Sequence, residues 1–359
     1  MKYEALPHPL RKGGLLNKVS PSGGDLEGAG MKILIRLPNW LGDVVMSTAF
    51  LRAVKQLYPG ALVDIIIKKE LGSVATLIPS IHKIHLFSKN EYSGLLGVYR
   101  FGKTLKAEQY DVFFNLPHSL SSFVMAWASG AKQRLGFNKE GGFFLMSRSY
   151  KKPAGLHRVD EYISLLENFT GKTVAGRKVQ LNAGVPSSNS YKTVVVNFNS
   201  EASSRRMPVD KGRSLISKLT DNFEDVNFAF VGSPNETAFV DELIAGLDNS
   251  DRLHNHAGKT DLAGLAQLMA GSKAVLTTDS GPAHLANAVG APTVVLFGAG
   301  NEDNTAPYNK KKLTVLRYGG LSCEPCVRNK CLLYGIPKCM EMLDEIKIIN
   351  ALSLHLNDA

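Results

Sequence analysis

One unit of polarity recurs along the chain: a short, nearly unbroken apolar run, a loop rich in Gly, Pro, Asn or Ser, then a longer stretch with apolar residues at helical spacing. KILIRL (32–37) is the first apolar run, and after the loop a Val/Met/Ala/Phe/Leu pattern continues to about Tyr58, where Pro59 and Gly60 stop it. LVDIIIKK (62–69), IHKIHLF (81–87) and YDVFFNL (110–116) read as further strands, and SLSSFVMAWASG (119–130) as a helix. Apolar strands alternating with helices predict an α/β fold whose parallel sheet is covered on both faces.

The rhythm restarts in the second half. Strands are expected at TVVVNFNS (193–200), VNFAFVG (226–232), KAVLTTD (273–279) and APTVVLFG (291–298). Helices are expected at 209–222, 235–247, 261–272 and 280–290. Two such arrays predict two doubly wound, Rossmann-like domains facing a central cleft, joined through VQLNAGVPSSNSYK (179–192). The expected division is 31–185 for the first domain, 186–345 for the second and 346–359 for a C-terminal tail. Residues 1–30 read as an extension or an over-long start, because MKILIRL at 31 resembles a natural chain beginning. In open α/β sheets ligands sit beyond the carboxyl ends of strands, so the loops there are where chemistry is expected.

Composition narrows the partners. A length of 359 residues suits two cores, and no apolar run of about 18 residues occurs to span a bilayer. Residues 1–30 lack the apolar segment of a secretory signal. The net charge of +10 calls for an anionic partner. Its basic residues are dispersed, without an aromatic-basic module, which argues against nucleic acid.

Four strand-end loops carry candidate chemistry. LPNWLGD has neither a dinucleotide fingerprint nor a P-loop; it places Asn39, Trp40, Gly42 and Asp43 at a helix start. Asp43 is either a first-turn acid favoured by the helix dipole or a base facing the cleft. TTDSGPAH brings Asp279 to a strand end, with Ser280 as the expected helix cap, Gly281 allowing close backbone approach and His284 one turn on. Such a helix start is suited to an anion. NFNSEASSRRMP offers Ser203, Ser204 and Arg205 for phosphate oxygens, with a solvated basic loop as the plainer alternative. Glu236, after the strand ending FVGSPNE, is either a ribose acceptor or an ordinary helix-start acid. His118 and His157 are candidates for the first domain's side of the cleft or for surface roles.

RLPNWLGDVVMS, TTDSGPAHLANAVGAPTVVLFG and LSCEPCVRNKCLLYGIPKCM together resemble the heptosyltransferase family, lipopolysaccharide core glycosyltransferases of the GT-B class, over roughly residues 31 to 345. That resemblance implies an inverting transfer of heptose from ADP-heptose to the lipopolysaccharide inner core. Asp43 matches the family's proposed base, and Asp279, Ser280, Gly281 and His284 its donor loop. Arg205 stands where members commonly carry lysine. In that scheme Arg205, Ser203, Ser204 and the helix start at Ser280 and Gly281 stabilise the departing diphosphate, so no catalytic metal is required. The resemblance also implies a cytoplasmic protein held peripherally at the inner face of the membrane. Another nucleotide sugar, another surface glycan, an epimerase-type isomerase or a non-catalytic binding protein are the competing readings.

Cys323, Cys326, Cys331 and Cys339 are the chain's four cysteines, spaced C-x2-C-x4-C-x7-C. One local cluster favours a reducing compartment over a secreted disulfide framework. Structural zinc, reduced thiols and disulfides remain open.

Overall fold

The run Lys32–Arg36 is apolar apart from its ends, and it becomes the central strand β1 of a sheet buried on both faces. The structure is a computed structural model describing residues 30–138, 141–184 and 192–357. Around β1 stand β2 (Leu62–Lys68), β3 (Lys83–Phe87), β4 (Val112–Asn115), β5 (Gln133–Phe137) and β6 (Arg148–Tyr150), in the order β3-β2-β1-β4-β5-β6 with every pair parallel. The crossovers carry α1 (Leu41–Leu57), α2 (Gly72–Ala75), α3 (Gly94–Thr104) and α4 (Leu120–Ala128), and α5 (Arg158–Thr170) follows β6.

The second half builds the same object again. Its strands are β7 (Lys192–Asn197), β8 (Val226–Phe230), β9 (Leu253–Asn255), β10 (Ala274–Thr278), β11 (Thr293–Phe297) and β12 (Leu313–Arg317), ordered β12-β11-β10-β7-β8-β9 and all parallel. Its helices are α6 (Val209–Asn222), α7 (Thr237–Ile244), α8 (Leu262–Ala270), α9 (Gly281–Ala288), α10 (Glu302–Thr305), α11 (Lys338–Glu341) and α12 (Glu345–Asn357). Read from each domain's first strand, both sheets have the doubly wound order. Each therefore opens a crevice where strand order reverses: between β1 and β4, and between β7 and β10.

The two domains share packing. One apolar cluster joins Val45, Ala49 and Leu166 of the first to Ala266, Leu285 and Ala286 of the second. The segment 179–184 belongs to this seam: Val179 and Leu181 are buried, and the Leu181 N–H donates to the Ala288 carbonyl at 3.1 Å. Most of the rest of the expected linker, 185–191, lies outside the described residues, as does the extension 1–29.

The segment 346–359, read as a tail, is helical through Asn357. Ile348, Ala351 and Leu352 recur at helical spacing and are buried with β10 and β11, where Ile348 and Leu352 are each worth about 1.5–3 kcal/mol. The helix at 345 to 357 is thus part of the second domain's core.

Candidate active site

The first crevice has a floor made by the ends of β1 and β4. Pro38, Asn39, Trp40, Asp43, His118 and Arg158 line a cavity of about 250 Å³ there, with Leu116, Pro117, Ser119 and Tyr162 completing it. Asn39 is held by the Arg36 guanidinium, whose Nη2 donates to its Oδ1 at 2.7 Å. Arg36 also donates to the Leu37 and Ile66 carbonyls, and burial lowers its pKa to about 10. Trp40 precedes α1 and is 61% exposed at the rim.

Asp43 sits in the first turn of α1 and points its carboxylate at the start of α5. Arg158 Nε lies 3.4 Å from Asp43 Oδ1. Burial raises the Asp43 pKa; the Arg158 cation lowers it, the Glu161 carboxylate raises it, and the Tyr162 hydroxyl and Lys152 lower it, leaving the net shift upward. A carboxyl group so placed is more basic than an exposed aspartate. Glu161 goes the other way. Burial opposes its charge, but the His118 hydrogen bond at 3.2 Å, Arg158 and Lys152 together pull it down to about 2. His118 therefore faces the cavity as a donor to Glu161.

The second crevice is lined by buried polar side chains. Asp279 follows β10, is 3% exposed, and occupies space over Gly300 that a methyl group would fill, coming within 1.9 Å of its Oδ2. Burial raises its pKa to about 6 against the opposing pull of Arg205 and Arg317. Arg205 Nη1 lies 3.3 Å from Asp279 Oδ2, while Arg205 Nε is buried with no hydrogen-bond partner among the described residues. Arg317 ties the loop beneath, donating to the Gly298 carbonyl at 2.6 Å and to Glu302 at 2.8 Å.

Several donor-side expectations change in detail. Ser280 does not cap α9: its hydroxyl donates to the Thr278 carbonyl at 3.2 Å and accepts from Asn197 Nδ2 at 2.9 Å, because its extended backbone (φ −153°) turns the side chain toward the strands. The first N–H groups of α9 are left without that side-chain oxygen. The space beside Gly281 is filled by Leu41 of α1, 2.8 Å from where a methyl would sit. Ser203 and Ser204 donate to the Asn329 and Arg328 carbonyls of the cysteine loop, so their hydroxyls serve loop attachment here. Glu236 closes a capping box, accepting from the Ser233 N–H at 2.8 Å and hydroxyl at 2.9 Å, and its second oxygen stands 3.7 Å from Arg206.

The crevices meet at two helix starts. His284 of α9 lies over Gly42 of α1, where a methyl would come within 2.7 Å of its Cδ2, and Leu41 packs on Gly281. Burial, with the nearby charges of His157 and Arg205, holds His284 neutral with a pKa of about 3. His157 is a second strut rather than a cavity wall: its Nε2–H donates to the Ala306 carbonyl at 2.8 Å, its Nδ1 accepts from the Val159 N–H, and its ring packs on Tyr308.

The four cysteines gather around one small cavity beside Ser204 as free thiols, and burial, with Glu324 nearby, pushes the Cys339 thiol up to about 11. Among the described residues no three His, Cys, Asp or Glu side chains converge as a metal-ligand set.

Arg158, Glu161 and Tyr162 were missed by sequence reasoning; GLHRVDEY at 155–162, a polar cluster opening a helix, was the available trace. Asn197 and Asn199, which brace the second crevice, stood within the strand-end motif but carried no assigned role.

Two doubly wound domains, with a carboxylate at one switch point and an arginine at the other, have the GT-B form. The chain belongs to glycosyltransferase family 9 (heptosyltransferase), whose model matches residues 98–336. It is 26% identical over 303 residues to lipopolysaccharide heptosyltransferase 2 of Escherichia coli K12, covering 78% of this chain and 86% of that one. It is 28% identical over 286 residues to the lipopolysaccharide core heptosyltransferase OpsX of Haemophilus influenzae, covering 75% and 79%. The fold matches the E. coli ADP-heptose lps heptosyltransferase II structure with TM-score 0.76, at 23% identity over 91% of this chain and 99% of that one. It matches a family 9 glycosyltransferase of Veillonella parvula with TM-score 0.79, at 20% identity over 92% and 98%. Among the described residues no helix is long and apolar enough to cross a membrane.

Proposed function

We propose that the protein transfers heptose from ADP-heptose to the inner core of a lipopolysaccharide, inverting the anomeric centre, while held peripherally at the cytoplasmic face of the inner membrane. The observation that carries this reading is the meeting of the two helix starts, Leu41 on Gly281 and Gly42 under His284, which brings the Asp43 crevice alongside the Arg205 crevice. The names of the relatives supply the sugar and the acceptor.

In this mechanism an acceptor hydroxyl in the Asp43 cavity gives its proton to the carboxylate as its oxygen attacks the anomeric carbon. The bond from that carbon to the ADP phosphate oxygen breaks, and negative charge collects on the diphosphate. The Arg205 guanidinium and the positive end of α9, where Gly281 carries an N–H and Pro282 none, are the groups that meet it. Two fixed sources of positive potential make a divalent ion unnecessary in this scheme. His284, buried at the seam, packs against Gly42 and holds the two helix starts together.

The test is ADP release from ADP-heptose with and without a heptose-deficient core, comparing the intact protein with Asp43→Ala. Release that requires acceptor and disappears in the variant, with donor affinity kept, supports the reading. Donor binding without release from either protein overturns it in favour of a binding role or another acceptor.

A further inference from the structure

The outer side of the first domain carries an apolar surface that the transfer reaction does not use. Leu95, Leu96 and Tyr99 project from α3, Trp127 from α4, and Phe143 and Phe144 from the loop between β5 and β6. Leu96 is 62% exposed and Phe144 72%, values unusual for residues of this size on a polar surface. They form one patch rather than scattered side chains. The α3 backbone at Gly102 touches Ala128 and Met125 of α4, the Tyr99 and Trp127 rings are 5.7 Å apart, and Gly142 lies against Leu120 and Phe123.

Two further observations identify what covers it. Arg100, Lys103, Lys106 and Arg148 are exposed on the same elements or directly beside them, and Lys103 Nζ stands over the Tyr99 ring at 5.9 Å. The nearby acids are neutralised from elsewhere: Glu108 pairs with Lys32 and Lys83, and Asp111 with Lys132. Aromatic and aliphatic side chains fringed by cations that have no ion-pair partner among the described residues match a layer with an apolar interior and anionic headgroups. The patch also adjoins the acceptor cavity. Ser119 lines that cavity and caps α4, so Leu120, the first residue of α4, lies one position beyond the cavity wall.

We infer that α3, α4 and the Phe143–Phe144 loop form the surface by which this protein docks on an anionic lipid bilayer, with the mouth of the Asp43 cavity held at the headgroup level. Leu96, Trp127 and Phe144 enter the acyl boundary, and Arg100 and Lys103 meet lipid phosphates. The inference rests on the proposed function only for the source of the lipid-borne acceptor; the docking itself is read without turnover.

The experiment is sedimentation of the full chain with phosphatidylethanolamine vesicles containing or lacking phosphatidylglycerol. The intact protein is compared with Leu96→Ser/Phe144→Ser and with Arg100→Gln/Lys103→Gln. The apolar pair should weaken vesicle binding about tenfold or more. The basic pair should remove most of the gain that phosphatidylglycerol confers. Transfer to a lipid-free core oligosaccharide should be unchanged in both, which shows that the variants are folded. Vesicle binding equal in all three proteins overturns the inference. So does a concentration-dependent dimer of the intact protein that the apolar pair dissociates, because the patch would then meet a second copy. Vesicle binding that follows the expected order while no heptose is transferred leaves the docking surface standing and removes the proposed reaction.

Discussion

The two switch-point crevices are built on the same strand order and do opposite work with charge. Between β1 and β4 the structure leaves an open cavity whose Asp43 carboxyl is pushed up by burial and balanced by Arg158. Between β7 and β10 it packs Asn197, Thr277 and Ser280 into a hydrogen-bonded floor under Arg205 and the start of α9. Topology chooses where a ligand sits, and side chains choose whether that place takes a proton or an anion. The comparison predicts that damage to the first crevice is a loss of rate and damage to the second a loss of donor binding.

The largest effect should come from Asp43→Asn, which keeps the shape and removes the base. A fall in kcat of about 10²–10⁴-fold with the donor Kd nearly unchanged is expected, measured by single-turnover transfer and calorimetry. A variant that also loses donor binding breaks the division between the crevices. Arg205→Ala should show the complementary result. Loss of a charged donor to phosphate is worth about 1.5–3 kcal/mol, so ADP should bind about 10–100-fold more weakly. Asp279, already near 6, then loses one of its two cations and its pKa rises further. Arg205→Lys should recover part of the affinity and test whether the planar fork matters.

A smaller effect tests the junction between the crevices. Gly42→Val places methyl groups where the His284 ring stands, and such overpacking costs about 1–3 kcal/mol. Thermal unfolding should show a lower Tm, and the Km for both substrates should rise together. A change confined to one substrate would mean that the two helix starts do not act as one seam.

Legibility divides along the same lines. The strands β1 to β4, β7, β8, β10 and β11 and the strand-end positions of Asp43 and Asp279 were readable, because near-continuous apolar runs and loop chemistry are local signals, whereas β5, β6, β9 and β12, short or without an unbroken apolar run, were not. The side-chain partners were not. Ser203 and Ser204 look free in their own segment, yet their acceptors lie 126 and 124 residues away in the cysteine loop. Gly281 looks like room for a phosphate until Leu41 arrives from the other domain. Arg158 and Glu161 open the helix after β6, a three-residue strand with no apolar run to announce it, so the rule that points to strand ends passes over them. The helix at 345 to 357 did leave a local trace in Ile348, Ala351 and Leu352, but its polar flanks hide the stripe.

The smallest expected effect is a shift of the acid limb of activity, and its sign is fixed by the charges around Asp43. Only the ionised carboxylate accepts a proton, so kcat/KM should rise with pH through the raised Asp43 pKa and then level. The groups facing it are Arg158, Glu161 and Tyr162 from α5, and Lys152 from the segment before it. Arg158 stabilises the ionised form, so Arg158→Met should move the acid limb to higher pH. Lys152→Met acts in the same direction from a weaker position. Glu161→Gln removes a like charge and leaves Arg158 to pair with Asp43 alone, so the limb should move to lower pH. A pH profile that moves the same way in Arg158→Met and Glu161→Gln would show that the titrating group is not Asp43, and the two crevices would then need a different base between them.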